Sequence, residues 1–252
     1  MRRVQAGLRR LFSRSEITSD VKPSPFEMPL LILLFLTVPA VALMAAGDRP
    51  LGAWMKEFPR ELLPIAHTVT DLGEGVQVLV GSGLLLLFSA IVPASLFSRK
   101  TIARLNAVTA AAAFTFLSVS LSGLVALALK YAIGRARPLL LETHGNLAFK
   151  PFAMHSDFAA LPSGHSATAA AMAICFALVF PRFRALFIST GVLICLSRQM
   201  VGMHWMSDTL MGWAVGSAVT YRAAHLFARR GIMFDYDDVG RLRPRRTQFA
   251  SL

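Results

Sequence analysis

One lysine, three arginines, two histidines and an aspartate stand at positions where an apolar sequence has no ordinary use for them. Lys130, Arg135 and Arg137 follow one apolar run, His165 opens the next, Arg198 closes a third, and His204 with Asp208 opens the last. An ionisable group near the centre of such a run costs roughly 2.5–3.5 kcal/mol on insertion scales, so each needs a reason. Taken singly, a cation at the end of a span is ordinarily an interfacial anchor, and an i,i+4 His/Asp pair is common. As a set, these groups have the composition of a phosphoryl-transfer site. Lys130, Arg137 and Arg198 offer three positive charges, with guanidinium forks suited to phosphate oxygens. Pro162-Ser163-Gly164-His165 enters a helix, whose first turn offers free N–H groups and a positive dipole end to an anion. Gly164 lets the backbone come close to that anion. His204 and Asp208 are one helical turn apart, so the carboxylate is expected to accept a proton from one imidazole nitrogen and leave the other as a nucleophile. His165 is then the expected acid for the leaving oxygen.

These residues need elements that bring them together, although they lie up to 78 positions apart in the chain. The composition says what kind of elements. Of 252 residues, 55% are hydrophobic and only 16% charged, where a soluble domain of this size carries about 25% charged residues. Mean hydropathy is +0.56. A membrane protein with one helical bundle and no separate soluble domain is expected. About 20 mostly apolar residues cross a bilayer, and six segments qualify or can be extended to do so. They are Met28–Gly47, Gly75–Phe97, Ala107–Leu129, Ser166–Phe180, Ala185–Ser197 and Ser207–Phe227. The fold class read from the sequence is therefore all-α, a six-helix transmembrane bundle over 28–228, with a basic N-terminal segment 1–27 and a basic tail 229–252. The first run is read as a retained helix, because its polar leader is long and no A-x-A site follows.

The net charge of +12 is placed where topology, not nucleic acid, would want it. Arg2, Arg3, Arg9, Arg10, Arg14 and Lys22 precede the first span, and Arg229, Arg230, Arg241, Arg243, Arg245 and Arg246 follow the last. With the connection Ser98–Asn106 and the turn Pro181–Arg184 also basic, these segments are assigned to the cytoplasm. The connections Lys130–His165 and Arg198–Asp208 then face outward together, and this convergence is the main argument for a site. Cys175 and Cys195 lie inside apolar runs and read as small core residues. Gly212 and Gly216 form a small-xxx-small pair for close helix contact, within the bundle rather than between two copies. The stretch Leu139–Leu161 carries Phe149, Phe152, Met154 and Phe158, either as a lip against the membrane or as plain packing.

The spacing Lys130-x6-Arg137-Pro138, Pro162-Ser163-Gly164-His165 and Ser197-Arg198-x5-His204-x3-Asp208 resembles the three-part signature of the type 2 phosphatidic acid phosphatase superfamily. All three parts match in order without substitution. The resemblance implies a six-helix core, no metal or other cofactor, and a phosphohistidine intermediate. By position it makes His204 the nucleophile, Asp208 its orienting partner and His165 the acid and later base. Lys130, Arg137, Arg198, Ser163 and the Gly164 backbone would bind phosphate, and Arg135, in a variable part of the first motif, would support them. The expected activity is hydrolysis of a lipid phosphate at the outer face of a bacterial inner membrane, with both termini cytoplasmic. Undecaprenyl pyrophosphate, phosphatidylglycerophosphate, phosphatidic acid and lipid A 1-phosphate all remain open as substrate. A lipid phosphotransferase with the same site and an anionic-lipid transporter are the alternatives.

Overall fold

The computed structural model describes residues 27–238 and 240–245, so the basic segment 1–26 and Arg246 lie outside the described residues. Helix α1, Glu27–Ala42, contains Pro39; a π-helical turn, Leu43–Gly47, follows and leads into α2, Asp48–Lys56. The sequence places the end of the first span at Gly47, but the helical path runs on from Met28 to Met55. A π turn absorbs one extra residue without breaking the helix, and Asp48, the residue after it, is fully buried.

Helix α3, Leu63–Asp71, and α4, Val76–Ile91, are joined by a turn in which Gly75 takes φ +72. Helix α5 covers Arg99–Ile133, and so the expected connection at Ser98–Asn106 is largely helical. Ser98 accounts for the early start, because its Oγ accepts from the Thr101 N–H at 3.2 Å as an N-cap. At 35 residues this helix is about 52 Å long, well beyond the roughly 30 Å hydrocarbon layer. The one-turn helix α6, Leu141–His144, lies in the long connection that follows. Helices α7, Gly164–Val179, α8, Arg184–Met200, and α9, Met206–Arg229, match the last three expected segments closely. Each of the six expected segments is helical. Three helical stretches, Met28–Met55, Arg60–Ile91 and Arg99–Ile133, are long and apolar enough to cross a membrane, and Gly164–Val179 is a shorter apolar helix.

Helix α9 packs against α7, α1 and α5, and α7 packs against α8 and α5. The contact between α7 and α9 is close because both faces are small. Ala167, Ala170, Ala171 and Ala173 are buried on α7. A Cβ at Gly212 would sit 2.4 Å from the Ser163 carbonyl oxygen, and one at Gly216 would sit 2.2 Å from that of Ala167. The small-residue pair therefore serves the bundle itself. Leu31, Leu34, Phe35, Val38, Leu84 and Leu87 are exposed on the outside, as a surface solvated by lipid requires. Cys175 and Cys195 are buried free thiols.

The described part of the tail after α9 is folded. Gly231 turns the chain at φ +63, and strand β1, Phe234–Tyr236, pairs antiparallel with β2, Leu242–Pro244. Met233 and Phe234 are buried, and the Phe234 ring packs edge-on against Phe114 at 4.9 Å. An apolar Ile232-Met233-Phe234 run follows the last helix and buries itself beside Phe114. This hairpin is a small exception to the all-helical expectation, as is an isolated antiparallel bridge between Arg135 and Phe149.

Candidate active site

The C-terminal ends of α5 and α8, the N-terminal ends of α7 and α9, and the loops 134–163 and 201–205 meet at one end of the bundle. Lys130 lies in the last turn of α5, and its Nζ reaches to 3.5 Å of where a Gly164 Cβ would stand. The ammonium therefore overhangs the Pro162–His165 turn, and glycine leaves the approach open. Gly134 ends α5 in the left-handed conformation, φ +64, and an added Cβ would lie 1.9 Å from the Lys150 carbonyl oxygen. Only glycine fits there, and the turn it makes directs Arg135 and Arg137 back over the bundle.

Ser163 is the N-cap of α7: its Oγ accepts from the Ser166 hydroxyl at 3.0 Å, and its backbone N–H donates to the Asp208 carbonyl at 2.9 Å. The first-turn N–H groups of Gly164 and His165 have no helical partner by position. The charges acting on His165 are those of Arg198, His204, Lys130 and Arg137, from three other elements and the 134–163 loop. Arg198 is buried at the end of α8, with Asp71 and Glu74 as the acidic groups acting on it. The Nε groups of Arg137 and Arg198 are buried and find no partner among the described residues. A buried unpartnered donor costs about 1–3 kcal/mol, more for a charged group; the Arg137 guanidinium keeps one protein contact, from Nη1 to Met203 Sδ at 3.3 Å.

His204 lies on the loop between α8 and α9, beyond Gly202 at φ +68, and is buried. Its Nδ1 lies 2.9 Å from the Ala160 carbonyl oxygen. The sequence-based expectation gives that contact to Asp208, whose nearer oxygen is 3.7 Å away. A carbonyl oxygen can only accept, so Nδ1 carries the proton and Nε2 keeps its lone pair. The carboxylate of Asp208 is held elsewhere: Oδ2 accepts from the Trp205 N–H at 2.9 Å and Oδ1 from Arg135 Nη1 at 2.7 Å. It acts on His204 as a charge and closes the first turn of α9 as a capping box. Burial pushes the His204 imidazole down to about 4, against the pull of Asp208.

Arg135 departs furthest from its expected place. It is fully buried, pairs with Asp48 at 2.8 Å and Asp208 at 2.7 Å, and lies over the Trp205 ring at 5.6 Å. Asp48, Trp205, Ser207 and the Ala160 carbonyl were invisible to motif reading. For Asp48 the available signal was an acid directly after an apolar run. In the 139–161 stretch Phe149, Phe152 and Met154 are exposed, whereas Phe158 is buried, with Lys150 over its ring at 4.6 Å.

A basic pocket with a helix N-terminus, set at the end of an apolar bundle beside a neutral imidazole, defines a phosphate-handling membrane enzyme. Comparison with known proteins gives the family. Residues 111–232 match the PAP2 superfamily. The chain is 37% identical over 202 residues to lipid A 1-phosphatases of Rhizobium etli and Rhizobium johnstonii, covering 80% of this chain and 86% and 82% of theirs. Its fold is similar to that of the transmembrane PAP2-type phosphatidylglycerolphosphate phosphatase of Bacillus subtilis. There the TM-score is 0.54 at 22% identity, over 77% of this chain and 93% of that one. The chain belongs to the PAP2 superfamily, and it is a metal-independent membrane lipid phosphatase.

Proposed function

We propose that the enzyme hydrolyses the 1-phosphate of a lipid A-type glycolipid, through a phosphohistidine on His204, at the periplasmic face of a bacterial inner membrane. The observation that carries the substrate is the 37% identity to lipid A 1-phosphatases along most of both chains. The chemistry rests on the geometry. Lys130, Arg137, Arg198 and the first turn of α7 take the phosphate oxygens and the charge that grows on them. His204 Nε2 forms a bond to phosphorus as the bond from phosphorus to the glycolipid oxygen breaks. His165 gives its proton to that oxygen, and the dianionic phosphate offsets the cations around this ring. Water then attacks the phosphohistidine, His165 takes back a proton, and inorganic phosphate leaves with His204 restored. A six-span path would leave both termini on one side, and the basic connections support the cytoplasm as that side.

The test is phosphate release by detergent-purified protein in chelator, across lipid A 1-phosphate, phosphatidic acid, phosphatidylglycerophosphate and undecaprenyl pyrophosphate. Release from the glycolipid alone, absent in His204→Ala, is the expected result. Preference for another member would overturn the substrate, and a new phospholipid without free phosphate would make the enzyme a transferase. Labelling of single cysteines placed in the 139–161 stretch by an impermeant reagent in intact spheroplasts tests the orientation.

A further inference from the structure

Asp208 is not alone with its cation. The Arg135 guanidinium reaches two carboxylates: Nη1 donates to Asp208 Oδ1 at 2.7 Å, and Nη2 donates to Asp48 Oδ2 at 2.8 Å. Nη2 and Nε also donate to the Asn146 carbonyl oxygen, at 2.9 and 3.2 Å. Ser207 ties the far carboxylate to the first turn of α9, with its N–H on Asp48 Oδ1 at 3.1 Å and its hydroxyl on Oδ2. Arg135, Asp48 and Asp208 are all fully buried. Two consequences follow from this saturation.

The first is geometric. Because Nη2 is engaged on Asp48, Arg135 meets Asp208 through one oxygen only. The other, Oδ2, stays on the Trp205 N–H and faces His204 Nδ1 at 3.7 Å. A guanidinium with a free edge takes a carboxylate through both oxygens, which would draw Oδ2 away from the imidazole. The second is electrostatic. Two carboxylates and one guanidinium leave the trio with one net negative charge in a water-poor setting, where charges act strongly. Phosphoryl transfer to His204 makes that ring more positive, so the negative charge stabilises the transition state more than the resting enzyme.

We infer that Asp48 is a positioning residue of the phosphatase reaction: by holding one edge of Arg135, it keeps the Asp208 carboxylate aimed at, and negative toward, His204. This rests on the phosphatase reading above. It assigns the junction of α1 and α2, 82 residues ahead of Lys130, a part in catalysis without contact with substrate.

The experiment compares Asp48→Asn and Asp48→Glu with the parent, in detergent, measuring kcat, KM and thermal unfolding on the parent's best lipid phosphate. The charge account expects Asp48→Asn to lose about ten-fold or more in kcat with KM within about two-fold, the pattern of an interaction made only in the transition state. Asp48→Glu, which keeps the charge but crowds the site, should hold kcat within about three-fold even where its Tm falls as much. Equal slowing of both variants at equal Tm, or a parent-like kcat in Asp48→Asn, would overturn the inference. If Asp48→Asn does not fold, Asp48→Glu decides alone: a ten-fold loss of kcat in a folded Glu variant overturns it. A parent that releases no phosphate from any lipid would instead sink the reading it rests on, so the two failures are distinct.

Discussion

The two nitrogens of His204 lie in different surroundings, and that asymmetry sets its chemistry. Nδ1 is held by the Ala160 carbonyl at 2.9 Å, so the lone pair is fixed on Nε2. Burial lowers the imidazole to about 4 from 6.5, which keeps the ring neutral at physiological pH. The sign for stability follows: between about 4 and 6.5 the unfolded chain binds this proton and the folded one does not. The contribution is therefore complete above 6.5 and lost as pH falls toward 4. Ring NMR of histidine-labelled protein, assigned by the signal missing in His204→Ala, should show this residue silent through 6.5; titration at or above that value would refute the environment described. Asp208→Asn should cost about a hundred-fold in kcat, since losing one preorganised electrostatic partner of a charge that grows in the transition state costs about 10²–10³. Unchanged turnover would remove Asp208 from the mechanism.

At the scale of elements, the site depends on how helices end. Gly134 stops α5 in a left-handed turn, 1.9 Å from the Lys150 carbonyl oxygen if a Cβ were added. An L-residue there costs about 1–2 kcal/mol in backbone conformation alone, and the steric overlap adds to it. Gly134→Ala should lower Tm and also raise KM for the lipid phosphate, because Arg135 and Arg137 move with the turn; a lower Tm with an unchanged KM would separate the turn from the site. Gly216→Ala tests a different contact, the meeting of α9 with the Ala167 carbonyl on α7. Overpacking here should destabilise by about 1–3 kcal/mol, read as a fall in Tm, with no change in oligomeric state by light scattering. A change in mass would make this glycine pair an interface between copies.

The whole molecule has a catalytic end and a hairpin end, joined by α9. Asp208 lies in its first turn and Phe227 near its last, where the Phe114 ring meets Phe227 at 5.4 Å and Phe234 at 4.9 Å. Removing Phe234 should cost about 3–5 kcal/mol as a buried aromatic. Phe234→Ala is expected to unfold at a clearly lower temperature while the folded fraction keeps the parent's KM. An altered KM would mean that the hairpin and the site are coupled along the bundle.

That Lys130, Arg137, Ser163, His165, Arg198, His204 and Asp208 stand at one end of the bundle was legible in the sequence because each is a polar residue in an apolar chain at a fixed spacing from its motif partners, with Gly164 between two of them. The six helical segments were legible because hydropathy is a local property. Sequence alone thus determined the membrane class, the helices and the residues that meet at one end. Only the tertiary structure decided what each of them touches. That Nδ1 of His204 goes to the Ala160 carbonyl, that Arg135 turns inward to Asp48, and that the tail folds onto Phe114 are all contacts between distant segments. Periodicity carries no signal for them, since a buried ion pair across 87 positions is set by the packing of helices, and packing depends on the shapes of all faces together.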